Sequence, residues 1–165
     1  DAFNVFGQEI TDEDREVLAE TFDKASFALE VNIVEGADQV LAYLVKKGIK
    51  TAIVSDTSLS AGRHLRFYLK KFGVDHHITS FAFSDEVGVY KPDKKIFHHA
   101  LKGMGEINPI NAAHIGDLKR TDVAGARNIG MTSVRFRGAN DDQEDELEAD
   151  FVIDHLSELP SVLNL

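Results

Sequence analysis

Apolar residues fall along this chain in two alternating rhythms. Val17, Leu18, Phe22, Ala25 and Leu29 recur at helical spacing behind Thr11-Asp12-Glu13-Asp14, a capping-box pattern, and predict an amphipathic helix over residues 11–30. Val40, Leu41, Leu44 and Val45 predict a second helix over 37–47, stopped by Gly48. Thr51-Ala52-Ile53-Val54 is short and apolar throughout, as in a parallel strand covered on both faces. Helical spacing returns with Leu65, Leu69 and Phe72 and closes at Gly73. A strand follows over 78–84, then a helix with Pro92 at its first position, carrying Ile96, Phe97, Ala100 and Leu101. An apolar run ends at Gly116, a helical pattern opens near Asp122, and 132–136 and 151–153 read as two further strands. Strands alternating with helices predict an α/β fold with a parallel sheet, in which ligands bind beyond the carboxyl ends of the strands.

Composition narrows the function classes. The 165 residues suffice for one domain, and with no Cys there is neither a disulfide framework nor thiolate metal binding. No apolar run is long enough to span a membrane, and a soluble cytoplasmic protein is expected. A formal charge of −10 argues against nucleic acid or an anionic membrane as partner, but a small phosphorylated substrate needs only one local positive site. Residues 141–150 are almost all acidic and read as a solvated loop or helix face without chemistry. No repeat or Pro/Gly/Ser-rich linker divides the chain.

Four groups stand at or just past the ends of the predicted strands. Asp117 follows Gly116, and Asp122 stands where the next helix opens; two acids so close repel unless a cation sits between them. Oxygen ligands suit a hard ion, and Mg2+ takes one or two carboxylates and leaves its other positions to water and phosphate oxygens. Ser55, with Asp56 beside it, follows the strand at 51–54, where a hydroxyl and helix N-terminal N–H groups can meet a phosphate. Lys91 stands just ahead of a helix at the same rim. A charge pair at about 4 Å is worth roughly 4 kcal/mol at an effective dielectric of 20, before desolvation.

That series resembles the haloacid dehalogenase-like (HAD) hydrolase superfamily, nearly throughout from Glu35-Gly36-Ala37 to Phe151-Val152-Ile153-Asp154. Ser55 matches the family's second motif, Lys91 its third, and Asp117 with Asp122 its fourth. The resemblance implies a three-layer, Rossmann-like core and phosphoryl transfer through an aspartyl-phosphate. Mg2+ would be held by Asp117 and Asp122, directly or through water. Lys91 would balance charge, and Ser55 would hydrogen-bond the phosphoryl group. Asp56, where the family often has Asn, is grouped with Ser55 and Lys91 as phosphate-binding. The acid pair favours a phosphatase-like member over the dehalogenase branch. On this resemblance residues 1–34 are the end of a helical cap, and 35–165 a core lacking its first strand.

The first motif, an apolar strand ending in Asp-x-Asp, is missing. The one such triplet, Asp12-Glu13-Asp14, reads as a helix start. In the family that strand lies between those ending at Ser55 and Gly116, so either these two pair directly or another peptide fills the slot. The first residue, Asp1, and the half cap lead us to expect the carboxyl-terminal part of a longer protein, inactive alone, whose nucleophile comes from an upstream or partner peptide. The alternatives are a catalytically silent phosphate- or partner-binding domain, or a phospho-accepting receiver domain, whose acids and Lys-Pro run in the reverse order. His76-His77 and His98-His99 are adjacent pairs that point apart and make poor chelates. His114 is expected as a packed or hydrogen-bonded core residue, and Phe67, Tyr68 and Phe72 as the packed face of a helix.

Overall fold

The computed structural model describes residues 11–58 and 60–165. Helix α1 (Asp12–Phe27) opens on the expected capping box: Asp14 N–H donates to the Thr11 hydroxyl at 3.1 Å, and Thr11 N–H returns to the Asp14 carboxylate at 2.9 Å. Asp12-Glu13-Asp14 is therefore the first turn of a helix. The expected cap piece, residues 1–34, lies outside the described residues over its first ten.

Helix α2 (Ala37–Lys46) ends ahead of Gly48, whose φ of 73° most side chains avoid. It leads into strand β1 (Ala52–Ser55), helix α3 (Gly62–Lys71), strand β2 (Ser80–Phe83) and a one-turn helix α4 (Ser84–Val87) that the apolar pattern did not reveal. Helix α5 (Lys94–Gly103) starts later than expected. Pro92 lies in the turn ahead of it, after a cis Lys91–Pro92 bond, instead of at its first position. Asp93 sets the start, because its carboxylate accepts the Lys95 N–H at 2.8 Å. Strand β3 (Ala113–Gly116), a π-helical turn (Lys119–Val123), helix α6 (Ala124–Arg127), strands β4 (Thr132–Phe136) and β5 (Phe151–Ile153) and helix α7 (Leu159–Val162) complete the order.

Among the described residues all strand pairing is parallel, as expected, but it forms two sheets. β1 pairs with β2, bringing Ser55 opposite Phe83, and β3, β4 and β5 pair in that order, with Gly116 opposite Arg135. Among the described residues β1 and β3 share no ladder. Of the two alternatives for these strands, direct pairing is thus not adopted. A groove of about 750 Å3 lies between them, lined by Ile53 and Val54 on one side, His114 and Ile115 on the other, and Val40 and Ala100 from the helices.

Strand burial follows from the groove. β4, paired on both sides, is buried at Ser133, Val134, Arg135 and Phe136, whereas every residue of β1 and β3 is only half-buried, although 51–54 reads as covered on both faces. Two apolar clusters hold the halves. Ala82, Ile96, Phe97, Leu101 and Ala126 pack together around α5, and Val40, Leu44, Val134, Phe136, Ile153 and Leu159 pack α2 and α7 onto the second sheet.

Candidate active site

Just past the carboxyl ends of β1 and β3, three of the sequence-predicted groups, Asp56, Lys91 and Asp122, are joined by hydrogen bonds. Lys91 sits in the turn before α5, and its backbone N–H donates to Asp56 Oδ1 at 2.9 Å, tying it to the loop that follows β1. Its ammonium reaches across to Asp122 Oδ1 at 2.7 Å, and His114 Nε2 meets the same oxygen at 2.8 Å. Leu118 N–H donates to Asp122 Oδ2 at 3.2 Å, and the Thr121 hydroxyl stands 3.5 Å from it. Residues separated by up to 66 positions thus form one chain: Asp56, Lys91, Asp122, His114.

Asp122 is 3% exposed, which fixes the electrostatics. Burial alone pushes its carboxyl up; the His114 hydrogen bond and the Lys91 ammonium more than reverse this and bring it down to about 2. It is therefore ionised, and His114 is the donor. The imidazole also packs edge-on against Phe97, with ring centroids 5.0 Å apart. His114 is thus the packed, hydrogen-bonded residue expected, and its partner is one of the site's own acids, which no spacing rule indicates.

Gly116 makes room for this. A Cβ built on it would lie 2.2 Å from Asp122 Cγ, so the Gly of Gly116-Asp117 is a packing requirement of Asp122.

The two remaining groups lie apart from the chain of bonds. The Ser55 hydroxyl has only a long contact, 3.4 Å to the Asp56 carbonyl. The half-buried Asp117 carboxylate has no hydrogen-bond partner among the described residues. Nor, among them, do three or more His, Asp or Glu side chains gather as a metal cage. The donor set still fits Mg2+, which needs one or two carboxylates and otherwise water and phosphate oxygens: Asp117 is open to it, while Asp122, already holding four donors, stands behind.

Below this rim a second network fixes the loop after β1. Thr57 N–H donates to the Ser84 hydroxyl at 2.8 Å, and the Thr57 hydroxyl donates to Asp85 Oδ1 at 2.8 Å. Burial pushes the Asp85 carboxyl up, but the Gly62 N–H and the Thr57 hydroxyl outweigh it and hold the group below its ordinary value. This network went unseen in the sequence; a Ser-Asp pair at the end of the second strand is its only mark there.

Other expectations resolve simply. The His76 and His77 rings pack 3.9 Å apart in a short turn and so do not point apart as expected, while His98 and His99 are exposed on α5. Tyr68 is buried and its hydroxyl donates to the Ser26 and Leu29 carbonyls, while Phe67 stays 43% exposed against Phe27.

A family model, haloacid dehalogenase-like hydrolase, matches residues 1–130. The chain is 37% identical over 106 residues to haloacid dehalogenase-like hydrolase domain-containing protein 3 of Bos taurus, covering 64% of this chain and 40% of that protein. It is 36% identical over 135 residues to a glyceraldehyde 3-phosphate phosphatase of Pyrococcus furiosus, covering 79% and 54%. A solved HAD phosphatase from Thermococcus onnurineus superposes with a TM-score of 0.71 at 27% identity, over 98% of this chain and 68% of that one. The chain spans about half the length of the curated relatives it matches.

Proposed function

The chain belongs to the haloacid dehalogenase-like hydrolase family, and on that footing we propose that it carries the phosphate- and metal-handling half of a Mg2+-dependent phosphohydrolase acting on a small phosphomonoester. The observation that carries this is the buried bond between Lys91 and Asp122 at the shared ends of β1 and β3. It fixes an ammonium at the rim where Ser55 and Asp117 keep open polar groups. The phosphatases among the relatives support the same reading.

Each residue has a positional part. Lys91 offsets negative charge on the phosphate and the attacking group, and the Ser55 hydroxyl donates to a phosphoryl oxygen. Asp56, a carboxylate that would repel phosphate, serves by holding the Lys91 main chain. Asp117 would hold Mg2+ directly, with Asp122 behind it, oriented by His114 and Lys91. The ion, when bound, polarises phosphoryl oxygens. Phosphoryl transfer still needs a nucleophile. Asp12-Glu13-Asp14 opens α1; the family resemblance implies an attacking carboxylate at the end of an apolar strand, and the groove between β1 and β3 is where that strand would lie. That strand belongs to an upstream part of the same protein or to a partner peptide; without it the 165 residues are inactive. Residues 1–34 are then the carboxyl-terminal part of a helical cap, and the protein works in the cytoplasm. No described helix is long and apolar enough to cross a membrane.

The test is phosphate release from p-nitrophenyl phosphate by the protein expressed from its complete gene. Release is expected with Mg2+ and none after chelation, with a drop of about 10²-fold or more in Lys91→Ala, the scale of one lost charge-stabilising donor. Saturable Mg2+ and phosphate binding without release would make the protein a silent binding domain instead.

A further inference from the structure

The acidic stretch 141–150 is the largely exposed loop its composition suggests, but one residue within it, Asp142, is buried. Asp142 is 8% exposed and spends both carboxylate oxygens on backbone donors: Oδ2 accepts the Lys119 N–H at 2.7 Å, and Oδ1 accepts the Glu144 N–H at 2.9 Å. These two bonds hold its carboxyl below the ordinary carboxylate range. Glu148 and Asp141 grip the buried Arg135, the former through two bonds of 2.8 Å and the latter at 3.0 Å. Asp150 takes the Ser133 N–H at 2.8 Å and its hydroxyl at 2.7 Å. The run is anchored to β4 at both ends and reaches out to one residue of the site's own turn.

That residue, Lys119, opens the π-helical turn that must leave β3, set Asp117 at the strand end, and bring Asp122 back beneath Gly116 within five positions. The first N–H groups of a helical turn have no partner within it, so an outside acceptor decides where the turn sits. The Lys119 side chain goes the same way as its main chain: its ammonium donates to the Glu144 carbonyl at 3.0 Å and lies 3.9 Å from Glu148. It is thereby withdrawn from any phosphate.

We propose that Asp142 is a positioning residue for the acid-bearing turn, a strut that fixes Asp117 and Asp122 relative to the sheet by holding the Lys119 main chain. The strut closes a mechanical loop. Arg135 lies opposite Gly116 in the β3–β4 register, binds Asp141 and Glu148, and through Asp142 returns to Lys119, two residues beyond Asp117. A carboxylate suits the task because it can accept from two N–H groups at once, whereas an amide accepts at one position only.

The proposal rests on the reading of Asp117 and Asp122 as the metal side of a phosphohydrolase, and two readouts keep the claims separable. In the full-length protein, Asp142→Ala should raise the Mg2+ concentration for half-maximal phosphate release by about 10–100-fold, the usual loss from outer-shell partners, with a change in substrate KM below about twofold. Amide exchange across 117–123 should quicken about tenfold or more, as for a lost bond to a charged acceptor, while 94–103 in α5 is unaffected. Should the alanine variant fail to fold, Asp142→Asn carries both readouts. Unchanged exchange at 117–123 overturns the strut whatever the activity. So does a variant in which Mg2+ dependence, KM and exchange throughout the molecule worsen together, since that is a merely structural loss. Wild-type protein that releases no phosphate at any Mg2+ concentration sinks the phosphohydrolase reading alone, and the exchange result then decides the strut.

Discussion

At Gly116 the site is held by the absence of an atom. A Cβ there would meet Asp122 Cγ at 2.2 Å and Asp122 Cβ at 2.5 Å, and neither is the far end of a flexible chain, because Asp122 is pinned by Lys91 and His114. Gly116→Ala should therefore lower stability by about 1–3 kcal/mol, the usual range for overpacking a tight contact, and abolish phosphate release in the full-length protein. A urea midpoint within error of wild type, with release intact, would show that Asp122 can move aside and is not rigidly placed. Ser55, Lys91, Asp117 and Asp122 were legible because each ends an apolar run or opens a helix, where a polar group has reason to face a ligand. His114 and the main-chain bond from Lys91 to Asp56 were not. Both depend on which loops meet across the sheets, and no periodicity within one element encodes that.

The acidic segment shows why element type can be right while its contacts are missed. Seven of the ten residues 141–150 are Asp or Glu, and charge alone favours solvent. The counter-signal lay elsewhere: Arg135 sits between Val134 and Phe136 in the strand 132–136, and a buried guanidinium must be paired. The Arg135 bonds hold the Glu148 carboxyl down to about 2, and the Ser133 bonds hold Asp150 below its ordinary value. Since these folded values lie below the unfolded ones, the stability they contribute is present near neutral pH and is lost as pH falls through them. Amide protection across 138–153, taken relative to intrinsic exchange at each pH, should be high near neutrality and fall between the ordinary carboxylate value of 4.5 and about 2, ahead of α5. Uniform acid exchange in both segments would mean that the segment unfolds only with the whole domain.

At the scale of the molecule the decisive fact is that, among the described residues, five strands pair in parallel within two separate sheets, and the edges that line the groove between them, β1 and β3, are only half-buried. The parallel α/β class, the strand positions and the order of site groups could all be read from alternating apolar runs. The split could not, because each strand looks the same in sequence whether or not its neighbour is present. The two edges carry apolar residues at Ile53, Val54 and Ile115 along one groove, and the loops beyond Ser55 and Gly116 are linked through Asp56, Lys91 and Asp122. An inserted strand would pair on both sides and present its last residues to Lys91, Ser55 and Asp117. Each ladder bond it forms is worth about 1 kcal/mol net, to which burial of its apolar side chains adds. On the proposed reading, in which the complete gene supplies that strand, its product should show amide exchange at 52–55 and 113–116 slowed by orders of magnitude relative to the 165-residue chain, with a higher melting temperature. Equal exchange in both forms would mean that the groove stays open and that the nucleophile, if there is one, approaches from elsewhere.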